Sequence, residues 1–277
     1  MLYNRPKIIP RKRMGKNGII KMGLKPFFSY HGSKYLLANL YKEPTHNIII
    51  ESFAGSAGYS LLYPHKQVKL YDKYSIICAI WDYLIKSKES EILSLPIIEL
   101  DKSVDDYNIC QEAKWLIGFW LAKGLKQPTK KLSGFSKHAL SNIDNYKGTK
   151  GKRFKSRPIA TWSDEQKYRI SNQQQYIRHW EIKNQSYETI DNIDATWFID
   201  PPYITAGSQY VSKCNNKSIN YNHLANWCKL RKGELIVCEN IDAKWLTFEP
   251  LKTKTNSKGK IITEYVYYQG FNDLLLF

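Results

Sequence analysis

Apolar residues in this chain gather in short runs. Asn47-Ile48-Ile49-Ile50, Val68-Lys69-Leu70-Tyr71, Trp197-Phe198-Ile199 and Leu235-Ile236-Val237-Cys238 each have the length and β-branched or aromatic content of a buried strand. Between them the period lengthens. Helices are predicted near 33–40, 58–63, 75–86, 110–123, 163 to about 180, and 221–230. Ser163-Asp164-Glu165-Gln166 has the spacing of a capping box. Two late strands, 264–268 and 273–277, flank Gln269-Gly270-Phe271-Asn272, which reads as a hairpin loop. Strands alternating with helices and ending in a hairpin predict an α/β fold with a mostly parallel sheet and a C-terminal antiparallel pair. Residues from about 110 to 190 lack the alternation and read as a mainly helical insert.

Composition narrows this picture. The 277 residues are 43% hydrophobic, enough for one large α/β domain or a domain with a smaller insert. No apolar run approaches the roughly 20 residues of a membrane helix. The first 25 residues have no apolar core of the kind that marks a signal peptide. Five scattered cysteines show neither CxxC nor metal-ligand spacing, so reduced thiols in a cytoplasm are expected, and no metal.

Charge changes the picture more. The formal net charge is +17, and 14% of residues are aromatic, a pairing suited to holding phosphates and stacking bases. Residues 1–25 carry eight cations and no acid, and read as a flexible basic arm. A second run from 147 to 157 holds Lys147, Lys150, Lys152, Arg153, Lys155 and Arg157, again with no acid. Tyr146, Phe154 and Trp162 are interleaved with it. These segments are expected to contact nucleic-acid phosphates irrespective of sequence.

Candidate chemistry lies where strands end. Asp200-Pro201-Pro202-Tyr203 follows an apolar run, and proline cannot extend a ladder, so the chain must leave the sheet there. An acid and a ring are left at the carboxyl edge, where open α/β sheets bind ligands. Glu51-Ser52-Phe53-Ala54-Gly55-Ser56-Ala57-Gly58 follows the first buried strand. Its glycines allow a tight turn, and its spacing is not GxGxxG, which disfavours a nicotinamide oxidoreductase. Asp72 ends the next strand, where a carboxylate can hold a ribose.

Together these segments resemble the Dam-like, D12-class DNA adenine-N6 methyltransferases of the alpha arrangement. Pro26-Phe27-Phe28-Ser29-Tyr30-His31-Gly32-Ser33-Lys34 is similar to that family's motif X, Glu51–Gly58 to motif I, and Asp200-Pro201-Pro202-Tyr203 to motif IV. Asp72 stands at the place of the ribose-binding acid. Tyr221–Ala225 and Gly233–Asn240 resemble later segments. The resemblance covers roughly 26–105 and 195–277. Tyr30-His31-Gly32-Ser33 stands where the family usually has a tryptophan or similar ring and two glycines before the motif X lysine, and Ser52 replaces a proline after Glu51.

The resemblance implies a Rossmann-like methyltransferase fold with S-adenosylmethionine as donor. It implies a catalytic domain over 26–109 and 191–277 and a target-recognition insert over 110–190. Cofactor contacts then map to Tyr30, Gly32, Lys34, Phe53, Gly55, Asp72 and Asp200, with Phe53 on the adenosine and Lys34 at the methionine carboxylate. Asp200, Pro201 and Tyr203 become catalytic. The carboxylate and the Pro201 carbonyl would take the two N–H bonds of the target amine and stabilise the charge it develops. The base must be flipped out of double-stranded DNA, with Tyr203 placed to stack on it. Arg153, Arg157, Asn172 and Gln173 are candidate base readers. Alternatives are an acceptor at cytosine N4 or on RNA, or a DNA-binding relative without catalysis.

Overall fold

A computed structural model describes residues 11–14, 20–122, 124–141, 161–204, 219–255 and 261–271. The basic run 147–157, with all six of its cations, lies outside them, as does the expected strand 273–277.

The chain divides into two compact units, Met1–Ser33 with Ala79–His179, and Lys34–Cys78 with Trp180–Phe277. In the first, β1 (Arg11–Met14) and β2 (Ile20–Gly23) pair antiparallel within the expected flexible arm. The arm therefore contains regular structure.

The second unit contains β3 (Ile48–Glu51), β4 (Gln67–Asp72), β5 (Glu181–Asn184), β6 (Ala195–Ile199), β7 (Gly233–Glu239), β8 (Glu249–Thr255) and β9 (Ile261–Gln269). They form one sheet in the order β5-β4-β3-β6-β7-β9-β8. The first five are parallel; β9 runs antiparallel to both β7 and β8. This is the mixed α/β, mostly parallel sheet with a C-terminal antiparallel pair that the pattern predicts, and it is compatible with the Rossmann-like fold that the resemblance implies. β9 also pairs antiparallel with β8, a strand that the pattern of apolar residues does not mark. Glu249-Pro250-Leu251-Lys252-Thr253-Lys254-Thr255 escapes a hydrophobic scan because an edge strand needs few apolar residues and tolerates proline.

β5 corrects the insert boundary. It lies within 110–190, yet pairs in register with β4 and belongs to the main sheet. Glu181-Ile182-Lys183-Asn184 is mostly exposed, so it shows no apolar period. Residues 79–109, read as part of the catalytic domain, likewise fall in the first unit.

Both faces of β6 are covered. Trp197 meets Trp227 of α6 edge-on, with ring centroids 5.5 Å apart; α6 covers Tyr221–Lys229. Phe198, on the opposite face, stacks on Tyr59 at 4.5 Å. A strand buried on both sides reads as a continuous apolar run, which is why it was legible.

In the first unit, Phe27, Phe28, Trp81 and Phe119 form an aromatic cluster. The helix Asp164–Gln174 packs through polar side chains: Arg169 donates to the Pro26 carbonyl at 2.8 Å, and Gln174 to that of Leu84 at 3.0 Å. The expected capping box takes another form. The Ser163 hydroxyl donates to Gln166 Oε1, side chain to side chain.

Candidate active site

β3 feeds β4 on one side of it, while β6 lies on the other side and feeds β7, so the strand order reverses between β3 and β6. Open α/β sheets bind ligands in the crevice at such a reversal, beyond the carboxyl ends of the strands. Four neighbouring strands bring a carboxylate there. Asp72, Glu51 and Glu239 are the last residues of β4, β3 and β7, and Asp200 directly follows β6.

Each carboxylate is held. The Asp72 oxygens accept the Gly55 N–H at 3.0 Å and the Tyr74 N–H at 2.8 Å. Burial raises its pKa, and these two bonds oppose the rise. Glu51 is buried and accepts the Ser60 N–H at 2.8 Å. Burial pushes its carboxyl up to about 8, with Ser60 pulling the other way. Glu239 is fully buried, accepts the Asn240 and Ile204 N–H groups at 2.8 and 3.2 Å, and is pushed by burial to about 6.

Asp200 meets the ammonium that lies in this acid row. Lys34 Nζ stands 2.7 Å from Asp200 Oδ1, with side chains only 8% and 20% exposed. Burial raises Asp200 to about 6 even though Lys34 opposes the rise. Burial by itself would lower Lys34, but Asp200 and Glu264 together raise it. The pair is therefore a salt bridge at neutral pH.

Local backbone explains these positions. Gly55 has φ +45° and Ala57 φ +52°, both left-handed, which folds the turn after β3 tightly enough for Gly55 to reach Asp72. The Ala54 N–H is anchored on the Tyr71 carbonyl at 2.9 Å. A Cβ on Gly58 would lie 2.7 Å from the Tyr35 nitrogen and 3.0 Å from Lys34 backbone. Glycine there lets the backbone carrying Lys34 come close.

The sequence-predicted residues divide accordingly. Asp200, Pro201, Tyr203, Lys34, Gly55, Asp72 and Phe53 all belong to the second unit. Lys34 pairs with Asp200 and lies 4.6 Å above the Tyr203 ring centroid. The Tyr203 hydroxyl donates to Glu264 at 2.5 Å. The Phe53 ring lies 5.5 Å from that of Tyr187, whose hydroxyl is 2.9 Å from His223 Nδ1. Tyr30 and Gly32 belong to the first unit, in a turn where Gly32 has φ +77° and the Ser33 N–H reaches the Tyr30 carbonyl at 3.3 Å.

Gln173, a candidate base reader, is buried. It takes the Lys25 N–H at 2.8 Å and donates to the Lys25 carbonyl at 3.1 Å. Asn172 donates to the Tyr168 carbonyl. Both are committed to the fold of the first unit. Arg153 and Arg157 lie outside the described residues.

Glu239 and Glu264 were not singled out from the sequence as functional residues. A rule that every parallel strand ending in an acid is a candidate finds Glu239. Glu264 sits inside a strand and offers no such signal. Among the described residues, no group of His, Cys, Asp and Glu could hold a metal ion, and no helix is long and apolar enough to cross a membrane. No protein-family model matches the chain, and no curated protein matches it.

Proposed function

We propose that this chain is an S-adenosylmethionine-dependent DNA methyltransferase acting on N6 of a flipped-out adenine. The observation that carries the reading is Asp200-Pro201-Pro202-Tyr203 at the strand reversal, beside the Glu51–Gly58 turn and the Asp72 carboxylate. The residues fit the donor. A row of carboxylates with one ammonium favours a ligand of net positive charge. Asp72, oriented by two backbone N–H groups, retains lone pairs for ribose hydroxyls, and the half-buried Phe53 ring offers an adenine a face. Bound there, S-adenosylmethionine supplies an electrophilic methyl group.

The chain's own work is to prepare the amine. Its lone pair is delocalised into the purine ring and must be freed by pyramidal geometry. Lys34 takes one position on Oδ1, and a carboxylate has about four acceptor sites, so Asp200 keeps capacity for an amine N–H. The Pro201 carbonyl takes the second. Both partial charges then face the cation that develops on nitrogen, in a site largely shielded from water. Alignment for in-line attack contributes much of the remaining acceleration. The proline pair keeps this backbone out of the ladder.

Incubation with methyl-labelled S-adenosylmethionine and duplex DNA, followed by mass spectrometry of the nucleosides, tests this. N6-methyladenine is the expected product. N4-methylcytosine alone, or no labelled base, overturns the adenine reading. Asp200→Asn keeps the shape and removes the charge; kcat should fall about 10²- to 10³-fold, as when one charge-stabilising group is removed elsewhere. DNA retention in a gel-shift assay should persist, and equal loss of both would make Asp200 structural.

A further inference from the structure

Glu264 enters the site from an unexpected direction. Strand β9 runs antiparallel to β7, with Glu239 opposite Tyr265. Glu264 therefore passes just beyond the carboxyl end of β7, at the edge where the parallel strands deliver their acids. The β8–β9 register breaks there: Pro250 faces Tyr265, Lys252 faces Glu264, and Leu251 is the extra residue. Bulges of this kind re-aim side chains and cluster near active sites.

One oxygen of Glu264 does several things. Oε1 accepts the Tyr203 hydroxyl at 2.5 Å and the Tyr41 hydroxyl at 3.0 Å, and lies 3.9 Å from Lys34 Nζ. The side chain is 11% exposed. Tyr203 is thus held at the far end of its ring by Glu264 and on its face by Lys34. Lys34 bridges two carboxylates, the tight one on Asp200 and the longer one on Glu264.

We infer that Glu264 is a positioning residue of the transfer site, fixing the plane of Tyr203 and, with Lys34, the charge state of Asp200. The inference rests on the methyltransferase reading above. Strand β9 then belongs to the reaction centre rather than only closing the sheet. The charged and titratable groups facing Asp200 come from several segments: Lys34 and Tyr41 before β3, Glu51 on β3, Tyr203 after β6, Cys238 and Glu239 on β7, and Glu264 on β9. Among them Glu264 is a neighbouring anion that makes Asp200 harder to ionise.

Glu264→Gln separates the two tasks. The amide oxygen still accepts both phenols, but the anion is gone. The acid limb of kcat/KM against pH should move down, by up to about one unit, because Asp200 ionises more readily without a neighbouring negative charge. Glu264→Ala removes the ring's anchor as well; a roughly 10- to 100-fold loss of kcat is expected from misplacement. Tyr203→Phe should cost about as much, and the double variant Tyr203→Phe/Glu264→Ala no more than either alone. An unmoved acid limb in Glu264→Gln, or additive losses in the double variant, overturns the inference.

If the wild-type chain transfers no methyl group, the methyltransferase reading fails by itself. The inference is then judged on the Asp200 carboxyl titration, followed by carbon NMR in wild type and Glu264→Gln. A downward move supports it; coincident curves refute it.

Discussion

A carboxylic acid pushed up to about 8 inside a fold makes stability depend on pH in a definite direction. Glu51 has an ordinary value of 4.5, so between 4.5 and about 8 the folded chain keeps a proton that the unfolded chain has lost. The folded state binds more protons, and stability therefore falls as pH rises through that window, by at most about 1.4 kcal/mol per unit, and levels off above it. Asp200 acts in the same direction between 3.8 and about 6. Glu51→Gln holds the neutral form permanently while its amide oxygen still takes the Ser60 N–H. Its melting temperature should vary less than that of the wild type from pH 5 to 8, and its advantage should grow toward pH 8. Parallel curves would show that Glu51 ionises without cost.

At the scale of elements, the site depends on close backbone approach as much as on side chains. The Glu51–Gly58 turn and the segment that carries Lys34 meet where a Cβ on Gly58 would find a backbone nitrogen at 2.7 Å. Backbone cannot swing aside as a flexible side chain can. Gly58→Ala should cost about 1–3 kcal/mol, the range for overpacking. That is about 2–4 °C in melting temperature per kcal/mol for a domain of this size. Gly134→Ala, where a Cβ meets nothing within 4 Å, is the control and should be neutral or slightly stabilising. Equal melting temperatures for wild type and Gly58→Ala would mean the approach is not tight.

Over the whole molecule, the field and the site have opposite signs. The chain carries +17 overall, yet the carboxyl edge of its sheet presents Asp72, Asp200 and Glu239, beside a Glu51 that stays neutral below about pH 8. A polyanion would be attracted at long range, and a cationic group preferred at the edge itself. Replacing Lys147, Lys150, Lys152, Arg153, Lys155 and Arg157 with Gln should weaken DNA binding and reduce the slope of log K against log salt by about 0.9 for each phosphate no longer neutralised. An unchanged slope would remove that run from the interface.

Sequence by itself determined the elements whose signals are local. Buried strands such as Trp197-Phe198-Ile199 appear as apolar runs because both their faces are covered. Asp200-Pro201-Pro202 marks a strand end because proline cannot donate to a ladder. The polar edge strands β5 and β8 left no such trace, because a strand with one neighbour needs little apolar surface. Only the tertiary structure decided who partners whom. Lys34 and Glu264 are 230 positions apart in the chain, yet both meet Tyr203, and Lys34 also pairs with Asp200, through a sheet reversal and an antiparallel strand. Non-local pairings of that kind are set by strand order and register, which no local pattern of residues encodes.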